Sequence, residues 1–305
     1  MINSVSKNNL DYFVVDVFTD TPLAGNPLAV VMNTCGLKTE QMQAIAREFN
    51  LSETTFVERR SATVEQAEGV RVRIFTTQEE LPFAGHPTLG TASVLKTAAP
   101  ETLHGDTLRL ALNVGSVPVR FEERGRLFGE MTQPDPKFGQ EMEQREVAPL
   151  LGLSVDDLDP HFTPQAVSTG NFFAIIVLRS LSALERLRVN HAEATPWLRH
   201  HGARWFYVMA PVKDHERSSS EVFRARMQFY GGEDPATGSA AGCAISYLVA
   251  RGAVPSGARL HLRQGIEMGR PSDLFLSARN DSARVSEVRV AGSTVPVATG
   301  RLFLP

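Results

Sequence analysis

Three titratable side chains sit where short elements begin or end: Glu53 in "NLSETTF", His86 in "AGHP" and Asp234 in "EDPATGS". A carboxyl group paired with a polarising partner is a common means of moving a proton to and from carbon near neutral pH. The surroundings of His86 and Asp234 also match each other. Aligned without gaps, "LPFAGHPTLGTASVLK" and "EDPATGSAAGCAISYLVA" place Pro87 on Pro235, Gly90 on Gly238, Thr91 on Ser239 and Ala92 on Ala240, always 148 residues apart. That spacing is close to half of the 305 residues and far beyond a solenoid repeat, so it points to a duplicated half. Each residue alone also has a plainer reading. Glu53 would be a solvated charge near a strand, His86 a satisfied structural histidine, Asp234 a helix cap and Ser239 a small helix residue.

Both segments set a turn and a small residue before an Ala-rich helix, expected over 88–96 and 236–251. The first N–H groups of a helix are unpaired donors at its positive end, which makes an anion site. The expectation is that the amides near Gly85–His86 and Gly238–Ser239 hold one carboxylate or similar group across an interdomain cleft. Nucleotide loops are a poor match: neither segment carries the Lys of GxxxxGK[ST], and neither shows GxGxxG.

The remaining elements are read from periodicity and punctuation. "YFVVDVF", "LAVVMN", "TTFVER" and "VRVRIFT" read as strands, and 39–49 reads as a helix capped by Thr39 with an apolar stripe at Met42, Ile45, Ala46 and Phe49. Strands with turns at Gly115, Gly125 and Gly129 lead to the Pro-rich "MTQPDPKFG", the candidate linker. The second half repeats the grammar, with helices around "VAPLLGL" and "SALERLRV" and strands in "NFFAIIVL", "RWFYVMAPV" and "EVFRARMQFY". Strands and helices that do not alternate strictly argue for an α+β fold. The expected domains are 1–128 and 131–290, with 291–305 returning to the first.

Composition excludes several function classes. A net charge of −3, from 31 basic and 34 acidic residues, offers no basic track for nucleic acid, and Arg59–Arg60 and Arg224/Arg226 read as solvated positions. No apolar run reaches the ~20 residues of a membrane helix. No secretory signal is visible at the N-terminus, so cytoplasm is expected. Two cysteines, Cys35 and Cys243, make no disulfide framework. No CxxC or HExxH pair suggests a metal site.

"FTDTPLAGNPLAVV", "NLSETTFV", "RIFTTQEELPFAGHPTLGTASVL" and "GGEDPATGSAAG" follow one another in the order and approximate spacing of the PhzF-type isomerases of phenazine biosynthesis, relatives of diaminopimelate epimerase. The chain resembles that family over nearly its whole length. The resemblance implies two pseudo-symmetric diaminopimelate epimerase-like domains, each a sheet wrapped around a central helix, an active site between them, no cofactor and a homodimer. It implies catalysis by Glu53, assisted by His86, Asp234 and Ser239, and a small carboxylate substrate held by the amides of Gly85 and Gly238. Asn26, Thr169, Gly170 and Asn171 are pocket candidates by position. The related epimerases use a cysteine from each half, and the positions matched here hold His86 and Asp234, so two-thiol chemistry is not expected. Cys243 reads as packing and Cys35 has no assigned role. An amino-acid epimerase or racemase, and a non-catalytic carboxylate-binding protein, are the alternatives.

Overall fold

The computed structural model describes residues 9–123, 127–212, 222–229, 232–281 and 284–304. The turn expected at Gly125, and the ends of the strand expected over 221–230, lie outside them. The chain forms two compact units, Met1–Met131 with Gly292–Pro305, and Thr132–Ala291.

The first unit contains β1 (Asn9–Val17), β2 (Asn26–Val31), α1 (Thr39–Phe49), β3 (Glu53–Glu58), α2 (Ala62–Glu68), β4 (Val70–Phe75), β5 (Glu80–Leu81), α3 (Gly85–Ala98), β6 (Thr107–Leu112), β7 (Gly115–Glu123) and β8 (Leu127–Thr132). The second contains β9 (Lys137–Glu141), α4 (Gln144–Leu150), β10 (Gln165–Ser168), β11 (Phe172–Val177), α5 (Leu181–Arg186), α6 (His191–His200), β12 (Trp205–Pro211), β13 (Val222–Arg226), β14 (Gln228–Phe229), β15 (Gly232–Glu233), α7 (Gly238–Ala250), β16 (Leu260–Gln264) and β17 (Ser272–Asn280). The last strand, β18 (Val285–Phe303), has its first residues in the second unit and the remainder in the first.

Strand pairing shows the duplication directly. In the first unit the order β18–β1–β2–β3–β4–β6–β7–β8 runs antiparallel, antiparallel, parallel, antiparallel, parallel, antiparallel, antiparallel. In the second, β9–β10–β11–β12–β13–β16–β17–β18 gives the same series. Each sheet encloses one helix. Gly85 to Leu95 of α3 and Gly238 to Val249 of α7 are buried without a break. A helix buried on every side needs small apolar residues around its whole circumference, and "GSAAGCAISYLVA" supplies them.

The equivalent positions differ from those the sequence match suggests. By topology α3 corresponds to α7, and their first residues, Gly85 and Gly238, are 153 residues apart rather than 148. His86 therefore corresponds to Ser239, while Asp234 and Pro235 lie ahead of α7. The 153-residue spacing recurs in a paired feature. Arg73 forks onto Glu80 (2.9 and 2.6 Å), and Arg226 forks onto Glu233 (2.8 and 2.7 Å), each pair tying the strand before the central helix to the short strand that follows it. The ungapped match followed Pro and Gly identities and so ran out of register, whereas Glu80 stands as far ahead of Gly85 as Glu233 stands ahead of Gly238.

Other expectations also change. Arg226 is not solvated; it is 4% exposed and also donates to the Leu184 and Glu185 carbonyls. The cap of α1 is Lys38, whose N–H donates to the Gln41 side chain, and Thr39 is the first helical residue. Part of the linker is strand, because Lys137 and Phe138 pair with Ser168 and Val167. Residues 294–303 of β18 pair with β1.

Candidate functional site

In the first unit, Glu53, His86 and Asn26 come together. Glu53 opens β3 and lies opposite Leu28 of β2 in a parallel pair. His86 is the second residue of α3 and only 2% exposed. Its Nε2 lies 3.5 Å from Glu53 Oε2, and its Nδ1 lies 3.1 Å from the Asn26 side-chain amide. Asn26 owes its place to the residue before it: Gly25 has φ +66°, and a Cβ there would collide with the Val17 carbonyl and the Thr19 side chain. The buried Asp16 carboxylate accepts the Leu23 N–H at 2.7 Å and holds the same loop.

Burial pushes the His86 imidazole down to about 3, opposed only in part by the Pro27 carbonyl. The ring is neutral at working pH. It can polarise or accept a hydrogen bond, and it stores no proton near neutrality.

In the second unit, Asp234, Gly238 and Ser239 are gathered at the start of α7. Asp234 is nearly buried, its Oδ2 accepting from the Thr237 hydroxyl at 2.6 Å. Gly238 and Ser239 are the first two residues of α7, as Gly85 and His86 are of α3, so their N–H groups have no carbonyl one turn earlier. The Gly238 carbonyl accepts from Gln133 Nε2 at 2.9 Å, and the Thr169 hydroxyl donates to Gln133 Oε1 at 2.7 Å. Of the other pocket candidates, the Gly170 N–H donates to the Ser168 hydroxyl, and the Asn171 carbonyl accepts from the Cys243 thiol at 3.9 Å. Cys243 is fully buried, and burial pushes its thiol up to about 12, which excludes a thiolate at working pH. Cys35 is exposed and its thiol donates to the Arg59 carbonyl at 3.0 Å.

Sequence reasoning missed two glutamines. Gln133 was hidden in the Pro-rich passage; the signal was Gly242 inside an Ala-rich helix, where a Cβ would collide with the Gln133 side chain. Gln264, at the end of β16, touches Asp234, Thr237 and Tyr207, and no local pattern announces it. Among the described residues no cluster of three metal-ligating side chains occurs. No helix among them is long and apolar enough to cross a membrane.

The family model for phenazine biosynthesis-like proteins matches residues 15–300. The chain belongs to this family. A trans-2,3-dihydro-3-hydroxyanthranilate isomerase from Pseudomonas aeruginosa is 36% identical over 298 residues, covering 96% of this chain and 99% of the relative. Among solved structures, a predicted epimerase from Pseudomonas aeruginosa is 34% identical with a TM-score of 0.81, covering 97% of this chain and all of the other. A hydroxyproline epimerase from Agrobacterium vitis, 13% identical with a TM-score of 0.65 over 99% of this chain and 94% of its own, shares the fold. The family chain is thus an isomerase on an α+β, diaminopimelate epimerase-like scaffold.

Proposed function

We propose that this PhzF-family isomerase relocates a proton within a small carboxylate substrate without a cofactor, and that Glu53 carries the proton. The observation that supports this most is the approach of Glu53 to the buried His86. With the imidazole neutral, the carboxylate is the group of that pair able to take a proton from carbon and return it to another carbon on the same face. The electron pair left behind by the broken C–H bond moves through the substrate's unsaturation to the carbon that receives the proton. His86, Asp234 and Ser239 assist by hydrogen bonding, and the amides at Gly85 and Gly238 bind the substrate carboxylate. Asn26 contributes to binding beside His86.

The compound named for the Pseudomonas relative, trans-2,3-dihydro-3-hydroxyanthranilate, is the first substrate to try. Wild-type protein in D₂O should incorporate deuterium at the carbon that gains the proton. Glu53→Gln keeps the shape and removes the carrier, so turnover should fall about 10²- to 10⁴-fold while a substrate-like carboxylate still binds. Undiminished exchange in the variant would remove Glu53 from the mechanism. The family resemblance also supports a homodimer, which sedimentation equilibrium would check.

A further inference from the structure

The turn ahead of α7 is held by a network whose direction is fixed at every link. Gln264 is 1% exposed, and its side-chain carbonyl accepts the Thr237 N–H at 3.1 Å, a group that can only donate. Its amide nitrogen donates to the Asp234 carbonyl at 2.8 Å, a group that can only accept. Two backbone groups therefore set which end of the amide is which. The same nitrogen donates to Thr237 Oγ1 at 3.0 Å, so the threonine proton is turned elsewhere, toward Asp234 Oδ2 at 2.6 Å. Tyr207, fully buried, donates its phenol proton to the Gln264 carbonyl at 2.9 Å.

The backbone explains why this turn requires a clamp. Asp234 to Thr237 precede the helix and join it where the Thr237 carbonyl accepts the Ala241 N–H at 2.9 Å. The neighbouring Gly265 has φ +76°, and a Cβ there would press on the Pro235 backbone, which lets the end of β16 lie directly against the turn.

We infer that Thr237 and Gln264 are positioning residues that fix the rotamer of the Asp234 carboxylate, with Gln264 acting through the Thr237 hydroxyl. This rests on the assignment of Asp234 to the reaction made above. The network presents Asp234 as an oriented acceptor, one oxygen pinned within the protein.

Thr237→Val keeps the shape and removes the hydroxyl, whereas Thr237→Ser retains it. With the dihydro-hydroxyanthranilate as substrate, Thr237→Val should lower kcat about 10- to 100-fold, the scale of one hydrogen bond to a charged group, and leave KM within a few-fold. Thr237→Ser should recover most of that loss. On an Asp234→Asn background, Thr237→Val should add little, since its effect passes through the missing carboxylate. An equal further loss on both backgrounds, or no rescue by serine, would overturn the inference and leave Thr237 a packing residue. A wild-type protein inert toward this substrate would count against the proposed function instead. In that case a crystal structure of Thr237→Val decides: a rotated Asp234 side chain supports the positioning role, and an unmoved one overturns it.

Discussion

The two central helices start in different ways within the same topology. At α3 the chain enters the helix straight from an extended Ala84, and His86 and Pro87 fall inside the first turn, where Pro lacks a donor that would go unused anyway. At α7 the same two positions hold Ser239 and Ala240, and the Asp234-Pro235 pair lies ahead of the helix in a turn held by Gln264. The strand openings differ as well. Glu53 pairs with Leu28, and the equivalent first parallel pair of the second unit joins Trp205 to Phe173. Duplication thus kept the sheet, the enclosed helix and the Arg–Glu fork, while the polar side chains diverged. In the first unit an acid stands beside a buried imidazole; in the second an acid is set in a loop ahead of a serine.

The forks provide the sharpest test of this comparison. Arg226 and Glu233 are 4% and 13% exposed, against 16% and 23% for Arg73 and Glu80. Arg226→Met leaves a nearly buried carboxylate without its partner and should cost about 3–5 kcal/mol in denaturant unfolding. Arg73→Met should cost only about 1 kcal/mol. Equal losses would break the claim that the second fork is the more buried support.

A smaller difference is expected at the helix glycines. Gly242→Ala drives a methyl group into the Gln133 amide and disturbs its bonds to Gly238 and Thr169, which should cost about 2–3 kcal/mol. Gly90→Ala meets the methyl ends of Leu28 and Val17 at 2.6 and 2.7 Å, which can shift, and should cost nearer 1 kcal/mol in thermal melts.

A pH effect follows from the buried His86 of the first unit. His86 titrates at about 3 when folded, against 6.5 as the ordinary value. Between those limits the unfolded chain binds a proton that the folded chain does not, so stability is full above about 6.5 and falls as pH drops toward 3. The slope from this group is about 1.4 kcal/mol per pH unit at most. His86→Gln should flatten the stability–pH curve of the wild type in that window by this amount. Parallel curves would show that the imidazole is already free to protonate in the fold.

Much of this arrangement was legible from sequence. The helix over Thr39–Phe49 appears with the expected bounds, because Met42, Ile45 and Ala46 form a clean apolar stripe over a polar face. The motifs around Glu53, His86 and Asp234 marked element ends, which is where the structure puts them. The short helices Ala62–Glu68 and His191–His200 were missed: the first is about two largely exposed turns, and the second carries Pro196 inside it. The register of the duplication was also misread, because Pro and Gly identities say nothing about where a helix begins. Gln133 and Gln264 were invisible for a different reason. Their importance lies in partners distant along the chain, and a lone glutamine carries no periodic signal.

The pairing of β1 with the final residues of β18 constrains the order of assembly. Asn9 lies opposite Phe303 and Val17 opposite Thr294, so β1 finds this neighbour only after every element between the two strands has been made. Until then one edge of the first sheet has unpaired backbone donors and acceptors. Contacts this distant in sequence close slowly, because loop entropy is lost before the strand bonds form. Residues 294–303 therefore act as a latch on the first unit.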